Sequence, residues 1–169
     1  MAGVNAEIAL SIAATLVGTG DLGNPKLKID PISELLQLVP GTDAVNKADI
    51  LFADTRTVGA SSSEDLDLAG ELANAFGATI TAAEVVAIFI KAHESNTNNV
   101  VVGAATAAFP GPLGATGTYT IKPGEYYLAV SRSGWAVGAG TTDDLKIANS
   151  GGTTGVTYDI LVIGRTVAA

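Results

Sequence analysis

The chain contains no cysteine. That excludes a disulfide framework, thiol chemistry and thiolate metal ligands, so stability must come from a core or from association with other chains. There is one histidine, His93, and any hydrolytic triad or imidazole metal site would have to be built on it. Charge is scarce: 15% of residues are charged, against ~25% in an average soluble domain. Such a surface is tolerated where partners cover it, or where outer sheet faces carry Thr, Ser, Ala and Asn. Positive charge is the scarcer sign, with 9 basic against 17 acidic residues and a net charge of −8. The basic residues Lys26, Lys28, Lys47, Arg56, Lys91, Lys122, Arg132, Lys146 and Arg165 are scattered. A phosphate-binding groove needs them clustered, so neither nucleic acid nor an acidic membrane surface is expected as a partner. Long apolar runs are also missing. The nearest, from Ala6 to Val17, is broken by Glu7, Ser11 and Thr15 and is shorter than the ~20 residues of a membrane span. The first residues, Met1 to Glu7, lack the basic segment of a secretory signal.

What is present is a hydrophobic complement of 47%, mostly Ala, Val, Ile and Leu, in 169 residues. That suits one domain, or one domain with a long arm. Val4, Ala6, Ile8, Leu10, Ile12, Ala14 and Leu16 share one parity, with Asn5, Glu7, Ser11 and Thr15 on the other. Period two predicts a strand with one buried face, although the alanines leave a helix open. Residues 20–45 carry Pro25, Pro31 and Pro40 between short apolar pieces. They read as an irregular connection, with Lys26–Asp30 a possible short edge strand and Ser33–Leu38 a helical turn or strand. The expected division is therefore an N-terminal strand or arm with its connection over residues 1–45, and a β-sandwich over residues 46–169.

From Lys47 onward, short alternating stretches recur between turn signals. Ala48–Asp54, Ser62–Leu68, Val85–Ala92, Val100–Gly103, Gly117–Ile121, Tyr126–Val130, Asp144–Asn149 and Val156–Gly164 all read as strands. In Glu64–Leu68 the leucines are expected on one face and the acids on the other. Val85–Ala92 and Val100–Gly103, joined by the polar Ser95–Asn99 turn, form the clearest expected hairpin. Ser131–Gly134 reads as a turn between Tyr126–Val130 and Trp135–Val137. Strands at this spacing, without a βαβ rhythm, predict an all-β sandwich or jelly-roll-like domain with an extended N-terminal segment.

Candidate chemistry is sparse. His93 follows a strand beside Glu94 and an Asn-rich turn, the setting of an ordinary turn residue. No Gly-x-Ser-x-Gly elbow, Walker loop or dinucleotide fingerprint occurs. Asp65, Asp67 and Gly70 resemble part of a calcium loop, but the twelve-position pattern is missing, and Asp143–Asp144 is a second acidic pair. Solvated carboxylates are the simpler reading of both. Glu64 with Asp67, or Asp143 with Asp144, would need a cleft between them to act as a glycosidase pair. No catalytic residue, metal ligand or cofactor is assigned. Tyr126 and Tyr127 must point to opposite faces of a strand, so one belongs to the core and the other is free for contact. Trp135 reads first as a core residue, with a sugar platform or an interface anchor as the other readings.

Residues from about Lys47 to Gly164 resemble small proteins of tailed-bacteriophage structural gene clusters. The segments Ala48–Arg56, Glu64–Gly70, Ala75–Thr79, Ile88–Ala92, Asn96–Val100, Gly134–Val137, Asp144–Asn149 and Val156–Ile160 carry the likeness. These pieces bear on fold, not catalysis. The resemblance implies a non-enzymatic virion structural protein, made in the host cytoplasm without a signal peptide and placed on the capsid surface. As a decoration or cement protein, it would have the major capsid protein and copies of itself as partners, with a trimer expected on a symmetry axis. Val4, Ile8 and Leu10 of the alternating segment, which could add a strand to a neighbour, join Tyr126 and Trp135 as candidate interface residues. Two other readings stand beside this one: a carbohydrate-binding or host-recognition module, and a tail-tube-type structural protein.

Overall fold

The computed structural model describes residues 3–42 and 44–167. Met1 and Ala2, part of the segment read for a leader, lie outside the described residues. The first two strands, β1 (Ala6–Val17) and β2 (Lys26–Pro40), form a long antiparallel hairpin. At ~3.3 Å per residue, β1 alone extends roughly 40 Å. A two-residue strand, β3 (Lys47–Ala48), pairs in parallel with the end of β2 and completes a three-stranded sheet.

The body is a β-sandwich of eight strands: β4 (Ile50–Val58), β5 (Ser63–Asp67), β6 (Glu84–Ala92), β7 (Val100–Gly103), β8 (Thr118–Ile121), β9 (Tyr126–Ala136), β10 (Asp144–Asn149) and β11 (Val156–Arg165). One sheet runs β4-β11-β6-β9 and the other β5-β10-β7-β8, with every pairing antiparallel. Inward residues alternate as period two requires: Ile50 and Phe52 on β4, Ile88 and Ile90 on β6, Val156, Tyr158, Ile160 and Val162 on β11. They meet Leu66, Val100, Val102, Ile121, Leu145 and Ile147 from the other sheet in one buried core. β-Branched residues dominate this set because their stiff side chains pack well on a pleated surface.

The all-β sandwich with an extended N-terminal segment is as expected, and no helix occurs among the described residues. Four local expectations are corrected. Residues 20–45 are not an irregular connection, because fifteen of them form β2. The β6 and β7 segments do not form a hairpin. They lie in different sheets, and the polar turn between them is an arch across the sandwich. Asn96 closes that arch, its amide donating to the Thr157 carbonyl and accepting from the Thr157 N–H, both at 2.8 Å. Ser131–Gly134 is not a turn between strands but a bulge within β9: Trp135 pairs with Val85 and Val130 with Ala87, leaving four residues opposite one. Finally, Glu64 shares the parity of the leucines in β5. It points to the sandwich's open side, where Arg56 binds it.

Candidate functional site

The arm is amphipathic, and its register decides which residues share a face. Side chains directly opposite on antiparallel strands lie on the same side. One side pairs Glu7 with Gln37, Ser11 with Ser33, Thr15 with Lys28 and Val17 with Lys26. It is mostly polar, and the Gln37 amide reaches Glu7 at 3.5 Å. The opposite side pairs Ile8 with Leu36, Ile12 with Ile32, Ala14 with Ile29 and Leu16 with Leu27, and Glu34 opposite Leu10 is its one charge. β2 changes parity at Asp30–Pro31, where the register shifts. Pro31 has no N–H to donate and sits where a ladder bond is already lost.

The lower part of that apolar face rests on the body. Leu38 is buried with Ala48, Val86, Ala87 and Ile163, and Val4, Ala6, Ile8, Leu36 and Leu161 pack around them. This second core explains why β6 and β11 are apolar on both faces: the inner face meets the other sheet and the outer face meets the arm. Farther out the cover ends. Leu10 is 47% exposed and Leu16 70%, and Ile12, Leu27, Ile29 and Ile32 are similarly bare.

The arm's root is locked by a buried ion pair. Arg165, at the end of β11, has no exposed side-chain surface and binds Glu84 at the start of β6. Its remaining donors reach the Ala44 carbonyl at 2.8 Å and the Ser133 carbonyl in the β9 bulge. One guanidinium thus ties together both central strands, the bulge and the link between arm and body. Gly134 makes room for it: its φ is +82°, and a Cβ there would lie 2.7 Å from Glu84 Oε2 and 2.8 Å from Arg165 Nη2. Arg132 adds a bond to the side chain of Asn46 at 3.0 Å.

Beyond the arm's root, two rows of the outer face of the β4-β11-β6-β9 sheet stay apolar before the row of Thr55, Asp159, Lys91 and Tyr126. Ala53, Leu161, Phe89 and Leu128 form one cross-strand row, and Leu51, Ile163, Ala87 and Val130 the next. A groove of about 500 Å³ runs between this face and the lower arm. Tyr126 is 61% exposed beside it, with its ring centroid 5.8 Å from that of Phe89. The candidate interface residues therefore separate. Val4 and Ile8 are half-buried at the root, Leu10 is on the bare part of the same face, and Tyr126 borders the groove. Trp135 instead packs, half-buried, against the main core. Tyr127 also turns inward, its ring 4.9 Å from Tyr119.

Polar groups elsewhere form pairings within the fold. His93 Nε2 lies 3.1 Å from Asp159 Oδ1, and the Thr55 hydroxyl donates to the same oxygen at 2.7 Å. The carboxylate sits between hydroxyl and imidazole, so the Thr55 hydroxyl bonds the acid rather than the ring. These bonds, Thr55 first and then His93, hold the Asp159 carboxyl below its usual range. Across the open side of the sandwich, Arg56 joins Asp54 at 3.0 Å and Glu64 at 2.6 Å, while the buried Tyr158 hydroxyl donates to Glu64 at 2.9 Å. Burial and then that bond push the Tyr158 phenol up. Asp143 is buried and accepts the Gly140 N–H, and Asp67 accepts the Ala69 N–H at 2.7 Å. Asp144 stands directly opposite Asp67. Its carboxyl is raised by burial and by the charges of Asp65, Asp143, Asp67 and Glu71. Among the described residues these acids do not gather into a metal-ligating group.

Comparison with family models, with curated proteins and with solved structures gives no match. The chain's own geometry therefore carries the functional reading. Sequence reasoning missed the β2 half of the apolar arm, the row through Phe89 and Leu128, and the Arg165–Glu84 lock. The first had a usable signal: Leu27 and Ile29 keep one parity, and Ile32, Leu36 and Leu38 the other, with Pro31 between.

Proposed function

We propose that this chain is a non-enzymatic virion structural protein that decorates or cements the head of a tailed phage. The observation that carries the reading is the arm: a two-stranded ribbon extending from a sparsely charged sandwich with its apolar face bare. A lone hairpin is marginal in water, and a contiguous exposed apolar face signals a binding surface. We read the body as a jelly roll. Its strand orders, β4-β11-β6-β9 and β5-β10-β7-β8, place every link except β7–β8 between sheets, as an eight-stranded double-sheet winding requires. That architecture serves viral capsid domains and lectins alike. In this reading the partners are the major capsid protein and further copies of the chain, a trimer on a symmetry axis. The sandwich is a rigid mount and the work is adhesive.

The test uses the register of the arm. Ala9 pairs with Leu35, so an Asn-Gly turn can join them, removing residues 10–34 while keeping the buried root. Wild-type protein should co-sediment with bare capsids, and the shortened protein should lose most of that binding with its fold intact. Equal binding by both would rule out the arm as the adhesive element. Tyr126, exposed beside the half-buried Phe89, favours a glycan-binding module as a second reading. A glycan array that gives binding abolished by Tyr126→Ala would select it.

A further inference from the structure

We propose that the outer half of the arm docks, apolar face inward, on the outer face of the β4-β11-β6-β9 sheet of a second copy of this chain, and that copies assemble by exchanging arms. The fold already contains one example of the contact. In each chain the lower half of the same apolar face is buried on that sheet against Ala87, Leu161 and Ile163. The outer half continues the face without interruption except for Glu34, and the sheet continues it through Phe89, Leu128 and Val130. The groove between the lower arm and the sheet leads onto Phe89 and Leu128. Arm and sheet of one chain are thus two bare surfaces of the same chemistry, and the arm's residues beyond Leu10 extend past the body that would cover them. Charge does not carry the docking: the lone charge on the arm face is Glu34, and Lys91, in the sheet row next to Phe89, stands directly opposite Asp159.

Area agrees with it. Seven residues of β1, Leu10 to Leu16, opposite eight of the bulged β2, span ~23 Å at ~3.3 Å per residue, on a ribbon ~10 Å wide. One such contact covers roughly 450 Å², counting arm and sheet. If each copy gives one arm and receives another, a pair of copies buries about 900 Å² even before side-chain relief is counted. That approaches the ~1,000 Å² expected of a specific interface. Exchange in one direction around a ring makes the same contact at every junction and closes whenever the rotation per copy permits. The inference rests on the self-association in the proposed function, not on the shell.

Light scattering after size exclusion, on the full chain without capsids, tests it first. The wild type is expected to elute as a closed oligomer. A variant with Ile12→Ser, Leu16→Ser and Ile32→Ser, all on the bare half of the arm, is expected to elute as a folded monomer. A wild type that stays monomeric at every concentration, yet binds capsids through its arm, overturns the exchange while leaving the capsid reading intact. An oligomer that ignores capsids does the reverse. The absence of cysteine permits a second, geometric test. A Leu16→Cys protein mixed with a Leu128→Cys protein should form a disulfide heterodimer under mild oxidation. Ser11→Cys, on the polar face of the arm, should not do so with Leu128→Cys. Equal cross-linking from both faces, or from neither, overturns the proposed docking.

Discussion

Arg165 holds a positive charge with no exposed side-chain surface, and only because Glu84 and two carbonyls surround it. Removing one partner from such a pair leaves the other buried and unpaired, at a cost of ~3–5 kcal/mol. Arg165→Met should lower unfolding stability by that order in guanidinium titration, and adding Glu84→Leu should recover part of the loss. The acids behave differently. Asp144 faces Asp67 across the strands, and its folded carboxyl is raised by burial and by its acidic neighbours. Between the unfolded value, ~3.9, and that higher folded value, the folded protein binds more protons, so stability falls as pH rises through the window. Asp144→Asn should therefore melt higher than wild type at neutral pH, and the difference should close below the ordinary carboxylate range. Thermal scans across pH would show it, and an Asn variant less stable at neutral pH would contradict it. Asp159 has the opposite sign. Its folded carboxyl is lowered by Thr55 and His93, so its contribution is present above the ordinary value and is lost as pH falls through the folded one.

Within β9 a single strand serves two ends. Tyr126 begins it on the outer face, bare beside Phe89, and Trp135 lies beyond the bulge, packed on the core. Alternation alone puts these two, nine positions apart, on opposite faces, and the bulge at Ser131–Gly134 keeps that order while turning the Ser133 carbonyl to Arg165. Trp135→Ala should thus destabilise the fold by about 3 kcal/mol, the low end for a core aromatic because the ring is only half-buried. Tyr126→Ala should change stability by less than ~0.5 kcal/mol. Denaturant midpoints of the two variants would check the division, and equal losses would place both rings in the core. In the arm an irregularity does change the parity. Pro31 shifts β2 by one residue, and the shift brings Leu27 and Ile29 to the same face as Ile32 and Leu36.

At the scale of the whole molecule, one apolar surface is divided among three jobs. The inner sheet faces make the main core, the lower arm covers one end of the outer face, and the remainder of arm and sheet stays bare. In the proposed assembly, copies of the chain or a shell would complete the cover of that remainder. Shortening the arm across the Ala9–Leu35 pair is the most direct intervention, since it removes the bare part and spares the covered part. Loss of capsid binding with unchanged melting would locate adhesion in the arm. Loss of melting as well would show that the outer arm also stabilises its own body.

Composition and periodicity by themselves determined that the chain folds as an all-β sandwich with an N-terminal extension, and that Val85–Ala92 and Val156–Gly164 are strands of it. Those are local properties: a side chain's propensity and its parity are written in its immediate neighbours. They also separated the two tyrosines, because adjacent residues in a strand must diverge. The tertiary structure alone decided which strands pair. A polar turn such as Ser95–Asn99 suits a hairpin and an arch equally well, and only the packing of two sheets selects the arch. It alone revealed β2, since the bulge at Pro31 breaks the period that would have announced the strand. It alone brought Arg165 to Glu84, 81 residues away in the chain. An ion pair between distant residues has no sequence signature, because its energy comes from the burial that the completed fold imposes.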